Sequence, residues 1–591
     1  MPIYRAPLRD MHFALWEAAG AGILGTLPGM EEMGAELAAP VLEGAAAFCE
    51  EVLLPLNQTG DEEGCALENG AVRTPGGFAE AYRAYREGGW PALACDPAFG
   101  GQGLPKIVSV MFEEMICSAN LAFGMYPGLS HGVYSALRAH GSETQKALYL
   151  PKLVDGSWAG TMCLTEPHCG TDLGLLRTRA EPAANGSYRI SGTKIFISAG
   201  EHDLTENIVH LVLARLPDAP RGSRGISLFL VPKFIPDAQG NPGPRNAVAA
   251  GALEHKMGIK ASATCVMNFD GATGWLVGAP NKGLAAMFTM MNEARLSVGI
   301  QGLGLAEVSY QNAVAYARER LQGRRLGGAA APEKPADPII AHPDVRRMLL
   351  TMRAWIEGSR MLAARTALAI DIAAHDPVPA RAQAAEDEVA LMTPIVKALF
   401  SDMGWEMTAL GMQVLGGHGY ICEWGMEQFV RDARIAQIYE GTNGVQALDL
   451  VGRKIPAHGG RALRRFFHPV SEWIAERAGR AEMAEFVEPL AKAFGRLQGI
   501  TAELARRGLA DPFEAGAGAS EYLRLFGLVA LAREWARAAE IALGRQEDAF
   551  YRAKLGTARF FVRHILPQHT GLAASVLAGG AALRAFVDTD F

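Results

Sequence analysis

A single carboxylate near residue 440 stands where the chain could do acid–base chemistry. Glu440 ends an apolar approach, the run Gly441–Gly444 follows, and helical periodicity resumes at Val445. Glycines beside a carboxylate let backbone N–H groups approach a ligand, and a helix that begins there points partial positive charge at it. Apolar neighbours disfavour the ionised form of a carboxylate, so it can take up a proton near neutral pH. A helix boundary with a solvated Glu is about as well supported by these local features.

The run Ile438-Tyr439-Glu440-Gly441-Thr442-Asn443 resembles the catalytic segment of the acyl-CoA dehydrogenases. The resemblance extends from about residue 40 to residue 455, and further motifs follow in the family's order. It implies that Glu440 removes the α-proton of an acyl-CoA while hydride leaves the β-carbon for FAD. It also implies that Thr442 and Gly444 meet FAD and that Tyr439 and Gly441 meet the substrate.

The segment Met162–Asp172 lies where a helical pattern gives way to a strand pattern. A strand edge with exposed N–H groups and a Thr hydroxyl suits the nitrogen and oxygen rim of a flavin, although a Thr-Glu-Pro turn is more often only a turn. The segment resembles the family's Thr-Glu-Pro-x-x-Gly-Ser-Asp motif, which assigns to FAD the residues Met162, Leu164, Thr165, Gly170 and Thr171. Thr171 is assigned to the substrate as well.

A second motif with the same implied role is Gly192–Gly200. The family usually has Trp where Phe196 stands and Thr where Ser198 stands. The implied roles are an aromatic face packed on the isoalloxazine and a hydroxyl near its N5 edge. A core Phe on an inward strand face is the commoner fate of such a residue.

Two arginines of the predicted bundle complete the charged part of the motif set. The resemblance places Arg295, with Asn292, near the CoA moiety, and it places Arg320 on the FAD pyrophosphate across a subunit interface. A guanidinium suits a diphosphate because its donors form a planar fork. Solvated ion pairs on a helix face explain both arginines about as well on local features.

The turn Gln413–Tyr420 joins two bundle helices. By resemblance, Gln413 and the backbone of Gly416 and Gly417 meet the diphosphate of FAD in the neighbouring subunit. A simple C-terminal cap is the alternative, because glycine is common just past a helix end. The family reading implies a homo-oligomer, either a dimer or a dimer of dimers.

Periodicity supplies the elements that must position these residues. β-branched segments such as Ile208–Leu213 and Ile226–Val231, separated by turn residues, predict strands between Trp158 and Val277. An earlier helix is predicted between Pro40 and Pro55. Apolar faces at helical spacing predict a bundle of four later helices: Gly283–Leu321, Val345–Ile372, Glu386–Leu415 and Ile435–Val451.

The fold class that follows is mainly α with a central β domain. By resemblance it is acyl-CoA dehydrogenase-like, with an N-terminal helical domain, a β-barrel-like middle domain and a C-terminal four-helix bundle, plus an extra C-terminal helical domain. The predicted boundaries are 1–34 for an N-terminal extension, 35–157, 158–281, 282–455 for the bundle that carries Glu440, and 456–591 for the extra domain.

Composition narrows the class of protein. A hydrophobic content of 49% and a charged content of 20% are those of a soluble globular chain, and 591 residues imply several domains. A net charge of −7 gives no support to nucleic-acid binding. Eight scattered cysteines without zinc spacing predict free thiols, no metal and a cytoplasmic location. Early charges argue against a signal peptide, and the stretch 564–583 is a poor membrane span.

The family implies an acyl-CoA substrate and an electron-transferring flavoprotein as electron acceptor. An acyl-CoA oxidase, which passes electrons to oxygen, and a non-catalytic acyl-CoA-binding scaffold are the alternatives. The opening residues, Leu54–Asp61 and the C-terminal extension resemble a subgroup that oxidises 3-methylmercaptopropionyl-CoA, the thioester formed during dimethylsulfoniopropionate breakdown. Medium or long fatty acyl-CoA is the alternative substrate.

Overall fold

The computed structural model describes residues 2–591, which fold into two compact units. The helical unit comprises Met1–Ala45, Pro105–Glu114 and Val298–Phe591. The sheet unit comprises Ala46–Leu104 and Met115–Ser297. The division into five segments stays a prediction.

The chain before the sheet is helical. Its helices are α1 Leu8–His12, α2 Ala35–Phe48, α3 Pro55–Glu63, α4 Phe78–Glu87, α5 Lys106–His140 and α6 Glu143–Val154. The predicted helix ends at the prolines are wrong, since α2 begins at Ala35 and Pro55 opens α3. Pro55 is tolerated because the missing N–H of a proline has no partner in a first helical turn, whereas Pro40 lies inside α2.

Helix α5 is the one helix of residues 2–591 that is long and apolar enough to cross a membrane, and 89% of its apolar window is buried. A core helix meets the same criteria. Its first turn lies in the helical unit, where the Asp371 carboxylate accepts from the N–H groups of Lys106 at 2.7 Å and Ile107 at 3.0 Å. A carboxylate at a helix N-terminus satisfies donors that the helix itself cannot.

Strands occupy most of the sheet unit between residues 158 and 277. Two short strands precede this stretch, β1 Ala66–Glu68 and β2 Ala71–Arg73. The strands within it are β3 Trp158–Cys163, β4 Arg179–Pro182, β5 Tyr188–Ser198, β6 Asn207–Ala214, β7 Ser227–Pro232, β8 Phe234–Pro236, β9 Pro242–Arg245, β10 Val248–Leu253 and β11 Thr264–Val277. Seven of them form one sheet in the order β3-β6-β7-β11-β5-β4, with β10 paired to β11. Every residue of β6 is buried, which explains its unbroken apolar pattern.

The two edges of this sheet come together. The Ala180 N–H on β4 donates to the carbonyl of Arg215 at 2.8 Å, and the Arg215 N–H donates to Thr178 at 2.9 Å. The chain just past β3 pairs with β5, where the Ile195 N–H donates to the Thr165 carbonyl at 2.9 Å. Closure leaves few unpaired edges and gives the β-barrel-like domain that was predicted.

The bundle follows the sheet. Its helices are α7 Gly283–Glu319, α8 Pro343–His375, α9 Pro379–Leu415, α10 Gly417–Tyr420, α11 Met426–Arg434 and α12 Asn443–Asp449. α7 and α9 cross in direct backbone contact, because a Cβ on Gly404 would lie 2.5 Å from the Cα of Gly302. The predicted helix Ile435–Val451 is wrong as one element. A short turn at Ile435–Gln437 and a loop precede α12.

The C-terminal residues are helical, as predicted. The helices are α13 Arg461–Arg477, α14 Ala484–Ala510, α15 Pro512–Ala517, α16 Ala519–Leu543, α17 Ala549–Phe560, α18 His569–Ala578 and α19 Ala581–Arg584. A buried charge cluster ties them to the bundle and to the N-terminus. Arg360 on α8 binds the carboxylates of Asp10, Glu114 and Glu307, and Lys554 on α17 binds Asp10 and Glu357.

Candidate active site

The loop that joins α11 to α12 carries Glu440 in a strained backbone conformation. Glu440 has φ +56° and Gly441 has φ +81°, so two successive residues are left-handed. Glycine adopts this region freely, whereas another residue loses about 1–2 kcal/mol there. Such strain persists where surrounding contacts enforce it, and it is concentrated at functional sites. The side chains that hold this loop are therefore part of the site.

Two fully buried side chains hold the loop from beneath. The Gln446 Nε2 donates to the carbonyls of Glu440 at 3.1 Å and Gly441 at 3.2 Å. The Lys397 ammonium donates to the Gly441 carbonyl at 2.8 Å and to the Asn443 Oδ1 at 2.9 Å. Both Lys397 and Gln446 are 0% exposed, while Glu440 itself is half-buried. The two carbonyls point toward these buried donors, so Lys397 on α9 and Gln446 on α12 fix the geometry of the loop.

The residues on either side of Glu440 are also engaged. The Tyr439 hydroxyl donates to the Gln301 Oε1 on α7, so this predicted substrate residue is anchored to the bundle. The Thr442 hydroxyl accepts from the Val445 N–H at 3.3 Å and caps α12. Gly444 is exposed in the first turn of α12. Thr442 thus has a structural role beside its predicted contact with FAD.

The predicted flavin motif in the sheet unit runs from β3 into a short loop. Met162 is half-buried on β3, Leu164 is buried and Thr165 is half-buried just after it. Gly170 and Thr171 are exposed farther along the loop. The structure therefore offers one strand end and one open loop to a ligand.

An internal ion pair fastens this loop to β5. Lys194, which is 0% exposed, donates to the Leu164 carbonyl at 3.0 Å and to the Glu166 Oε1 at 2.8 Å. Glu166 also accepts from the Thr178 hydroxyl at 2.6 Å and from the backbone N–H groups of Arg177 and Thr178 at 2.7 and 3.0 Å. Burial opposes ionisation of Glu166, but the charge and hydrogen bonds of Lys194, with these other donors, outweigh it and lower its pKa to about 2.

Phe196 is turned out of the sheet. Its backbone φ is +59° and its side chain is 60% exposed, which excludes the alternative of an inward core Phe. The cause is a bulge, because Cys265 on β11 faces Ile197 and Met267 faces Lys194, so that two residues of β5 oppose one of β11. Ser198 ends the same strand and is half-buried. The open ring and the hydroxyl lie on the strand that Lys194 joins to the loop.

A cavity of about 570 Å³ lies beside this loop, lined by Glu166–His168, Arg177–Arg179 and Ser191–Thr193. Possible metal ligands on Glu166, His168 and Cys169 lie within 4.8 Å of one another. The Glu166 carboxylate already accepts four hydrogen bonds, and the Lys194 ammonium beside it repels a cation. The donor set therefore does not suit a metal ion.

The remaining predicted residues divide between the units. In the sheet unit, Arg295 on α7 is buried, lies 5.9 Å from the Phe288 ring centre and donates to the Asn292 Oδ1 at 3.4 Å. In the helical unit, Arg320 is exposed just past the end of α7, and Gln413 is exposed near the end of α9.

The segments that contain Arg320 and Gln413 lie close together, because the Tyr316 hydroxyl on α7 lies 2.7 Å from the His418 Nδ1 on α10. Gly416 has φ +58° and caps α9, as the alternative expected for this turn. A Cβ added at Gly416 or Gly417 would meet no atom within 4 Å, so the turn leaves open space as well. The cap and the predicted ligand contact are compatible.

Sequence reasoning missed the residues that hold both loops, namely Lys194, Lys397 and Gln446. One signal was present, because Lys397 is the only charged residue in the apolar run 389–400. A Lys in such a run is either exposed on a helix face or buried with partners, and buried charges are rare unless they are paired. Nothing local identified the partner, which is 44 residues away in the chain.

Family models match nearly the whole chain. Those described as acyl-CoA dehydrogenase N-terminal, middle and C-terminal domains match residues 38–157, 161–272 and 281–455. The chain belongs to the acyl-CoA dehydrogenase family. A further family model, described as acetyl-CoA dehydrogenase C-terminal like, matches residues 466–586 of this acyl-CoA dehydrogenase.

Full-length relatives support the assignment. The chain is 46% identical over 571 residues to 3-methylmercaptopropionyl-CoA dehydrogenase of Ruegeria pomeroyi, covering 95% of this chain and 96% of that protein. It is 35% identical to the broad-specificity linear acyl-CoA dehydrogenase FadE5 of Mycobacterium tuberculosis, with 96% of each chain covered. Its fold matches an acyl-CoA dehydrogenase of Bacillus anthracis complexed with FAD, with a TM-score of 0.76, 21% identity and 95% and 92% of the two chains covered.

This acyl-CoA dehydrogenase uses FAD, as its family does. The residues present fit that group, because the open ring of Phe196 offers a flat aromatic face beside a strand end and a glycine-bearing loop. Family members act on acyl-CoA and have electron-transferring flavoproteins as partners.

Proposed function

We propose that this acyl-CoA dehydrogenase oxidises 3-methylmercaptopropionyl-CoA to methylthioacryloyl-CoA, as in dimethylsulfoniopropionate catabolism. The observation that carries the proposal is the 46% identity, over 95% of this chain, to a protein named for that substrate. The relative named for broad specificity toward linear acyl-CoA is 35% identical. A linear acyl-CoA is therefore the substrate to test against.

We propose Glu440 as the base that takes the proton from the α-carbon. Bound FAD supplies the acceptor for the hydride that leaves the β-carbon. Gln446 and Lys397 fix the carbonyls of Glu440 and Gly441, so the carboxylate is presented by a loop that does not need to reorganise. Gly441 carries no side chain to obstruct an acyl chain beside the carboxylate. A preorganised geometry of this kind lowers the barrier because orientation is already fixed before the reaction.

Glu440→Gln tests the base. The amide keeps the size of the side chain but cannot accept the α-proton, so the purified protein should stay yellow and FAD-bound while turnover falls by about 10²–10⁴-fold or more. Glu423→Gln, at an exposed position of the same unit, is the matched control and should keep its turnover. A Glu440→Gln enzyme with a near-wild-type rate would rule out this role for Glu440.

Rapid mixing of the oxidised enzyme with acyl-CoA under anaerobic conditions tests the substrate. Loss of visible flavin absorbance reports dehydrogenation directly. Pentanoyl-CoA is the matched control, because it has a methylene where 3-methylmercaptopropionyl-CoA has sulfur. The proposal expects the methylthio compound to reduce the flavin with the higher ratio of rate constant to dissociation constant. A clear preference for pentanoyl-CoA or a longer acyl chain contradicts it.

The proposed acceptor of the electrons is an electron-transferring flavoprotein, and the proposed assembly is a homo-oligomer in the cytoplasm. Exposure of Arg320, Gln413 and Gly417 supports the assembly, because residues that bind a neighbour's FAD must be accessible in a single chain. Eight free cysteines support a reducing compartment. Light scattering on the FAD-bound protein tests the assembly, and a monomer contradicts it. Faster reoxidation by oxygen than by the flavoprotein contradicts the acceptor.

A further inference from the structure

We propose that Lys397 is the positioning residue of the catalytic carboxylate. Its buried ammonium holds the left-handed Glu440–Gly441 turn in the geometry from which Glu440 reaches the α-proton. The proposal rests on the proposed role of Glu440 as the base.

Lys397 is surrounded by buried apolar residues, so its ammonium cannot reach solvent. It lies in the middle of α9, and its neighbours Ile395, Val396, Ala398 and Leu399 are all buried. A buried ammonium is very unfavourable unless it is hydrogen-bonded. Its Nζ lies 2.8 Å from the Gly441 carbonyl, and a hydrogen bond from a charged donor is stronger than one between neutral groups. Lys397 thus binds the peptide that joins Gly441 to Thr442, one residue past the carboxylate.

Further hydrogen bonds from α9 fix the other end of the turn. The Asn443 side chain accepts from Lys397 at 2.9 Å and donates to the Asp402 carboxylate at 2.6 Å and to the Ala398 carbonyl at 3.2 Å. Asn443 is the first residue of α12. One face of α9 therefore binds both the Gly441 carbonyl and the first residue of α12. The turn between them is held at both ends by the same helix.

The contacts of Lys397 predict which kinetic quantity should change. Its described bonds go to the backbone and to Asn443, and it is 0% exposed, so it does not bind substrate directly. Loss of the ammonium would let the Gly441 peptide rotate and move the carboxylate. Misplacement of a catalytic group by about 1 Å is enough to slow a reaction about 100-fold. The rate of the chemical step should change, and the affinity for acyl-CoA should not.

Lys397→Met is the test, because methionine fills a similar volume without charge or donors. In anaerobic single turnover with 3-methylmercaptopropionyl-CoA, the rate constant for flavin reduction should fall about 100-fold, while the dissociation constant of acyl-CoA changes less than about threefold. The isotope effect with substrate deuterated at the α-carbon should increase, because proton removal becomes the slow step. Lys397→Gln, which retains a donor, should recover part of the rate.

Lys554→Met is the matched control, since Lys554 is an equally buried lysine of the same unit that binds Asp10 and Glu357 instead. It should lower the melting temperature and leave the rate per bound FAD unchanged. In a Glu440→Gln background, Lys397→Met should cause no further loss, because the group it positions is already gone. If Lys397→Met does not fold, Asn443→Ala removes one of the ammonium's acceptors and should give a smaller loss of the same kind.

The outcomes separate the two proposals. If Glu440→Gln keeps its turnover, the assignment of the base fails. If Glu440→Gln is inactive while Lys397→Met or its substitute reduces flavin at the wild-type rate, the base stands and the role of Lys397 fails. A Lys397→Met enzyme that loses affinity for acyl-CoA and rate equally, with an unchanged isotope effect, also overturns the positioning role.

Discussion

Two buried lysines hold two candidate functional loops by different means. Lys194 in the sheet unit binds a carboxylate, Glu166, inside the very loop that it fastens. Lys397 in the helical unit binds neutral oxygens, the Gly441 carbonyl and the Asn443 side chain, beside a carboxylate that is expected to react. In the sheet unit an ion pair fastens the loop to β5. In the helical unit an ammonium fixes the backbone beside the carboxylate.

The two loops should fail in different ways when their lysine is removed. Removing one partner of a buried ion pair leaves an uncompensated charge, so the loop at Glu166 should fail through stability. Removing the ammonium at Gly441 leaves a backbone carbonyl that still accepts from Gln446 at 3.2 Å, so that loop should fail through geometry. The comparison therefore predicts opposite balances of stability loss and rate loss at the two sites.

Lys194→Met should have the largest effect on stability. It leaves the buried Glu166 carboxylate without its cation, and breaking a buried pair in this way typically destabilises by about 3–5 kcal/mol. Urea unfolding should show the loss, and the purified protein should contain less FAD. Equal losses of stability in Lys194→Met and Lys397→Met would erase the contrast between the two loops.

The double variant Lys194→Met with Glu166→Gln tests whether the ion pair causes the loss of stability. The amide removes the buried negative charge while keeping most of the loop's shape, so part of the lost stability should return. A double variant no more stable than Lys194→Met alone would show that the ion pair is not the cause.

Acid should weaken the sheet unit through the same carboxylate. The pKa of Glu166 is lowered in the folded chain from 4.5 to about 2. A group whose pKa is lowered on folding adds stability above its unfolded pKa, and that stability is lost as pH falls toward the folded value. Wild-type stability should therefore decline between about pH 4.5 and 2, and Glu166→Gln should lack this component. The same decline in both proteins would contradict the assignment.

Much of the fold was predictable because its signals are local. Unbroken apolar segments such as β6, and long amphipathic runs such as α8, were located to within a few residues. The last bundle helix was predicted as continuous because periodicity on both sides of Glu440 is helical. The break depends on Gly441, on Asn443 and on a lysine of another helix, and no window of sequence contains all of them.

The candidate site was predictable as residue types and not as conformations. Motifs predicted Glu440, Thr165 and Phe196 as site residues, whereas nothing in the sequence predicted the left-handed backbone of Glu440 and Phe196. The bulge at Phe196 depends on how β5 pairs with β11, whose partners lie about seventy residues later in the chain. Pairing register is a tertiary property, so the outward ring could only be seen in the folded chain.

Substitution of Phe196 should have the smallest effect on stability. It tests whether Gly or Ala at this position gives the larger unfolding free energy. Its φ of +59° is strained for any residue except glycine, by about 1–2 kcal/mol. Ala and Gly both remove the aromatic face, so both variants should hold FAD less tightly, by about 0.5–1.5 kcal/mol beyond the loss of buried area. Gly alone also relieves the backbone, and even after its greater conformational entropy in the unfolded chain it should match or exceed the Ala variant in unfolding free energy. Urea unfolding of the two FAD-free variants measures this difference. If Ala proves the more stable of the two, the bulge does not strain the backbone at Phe196.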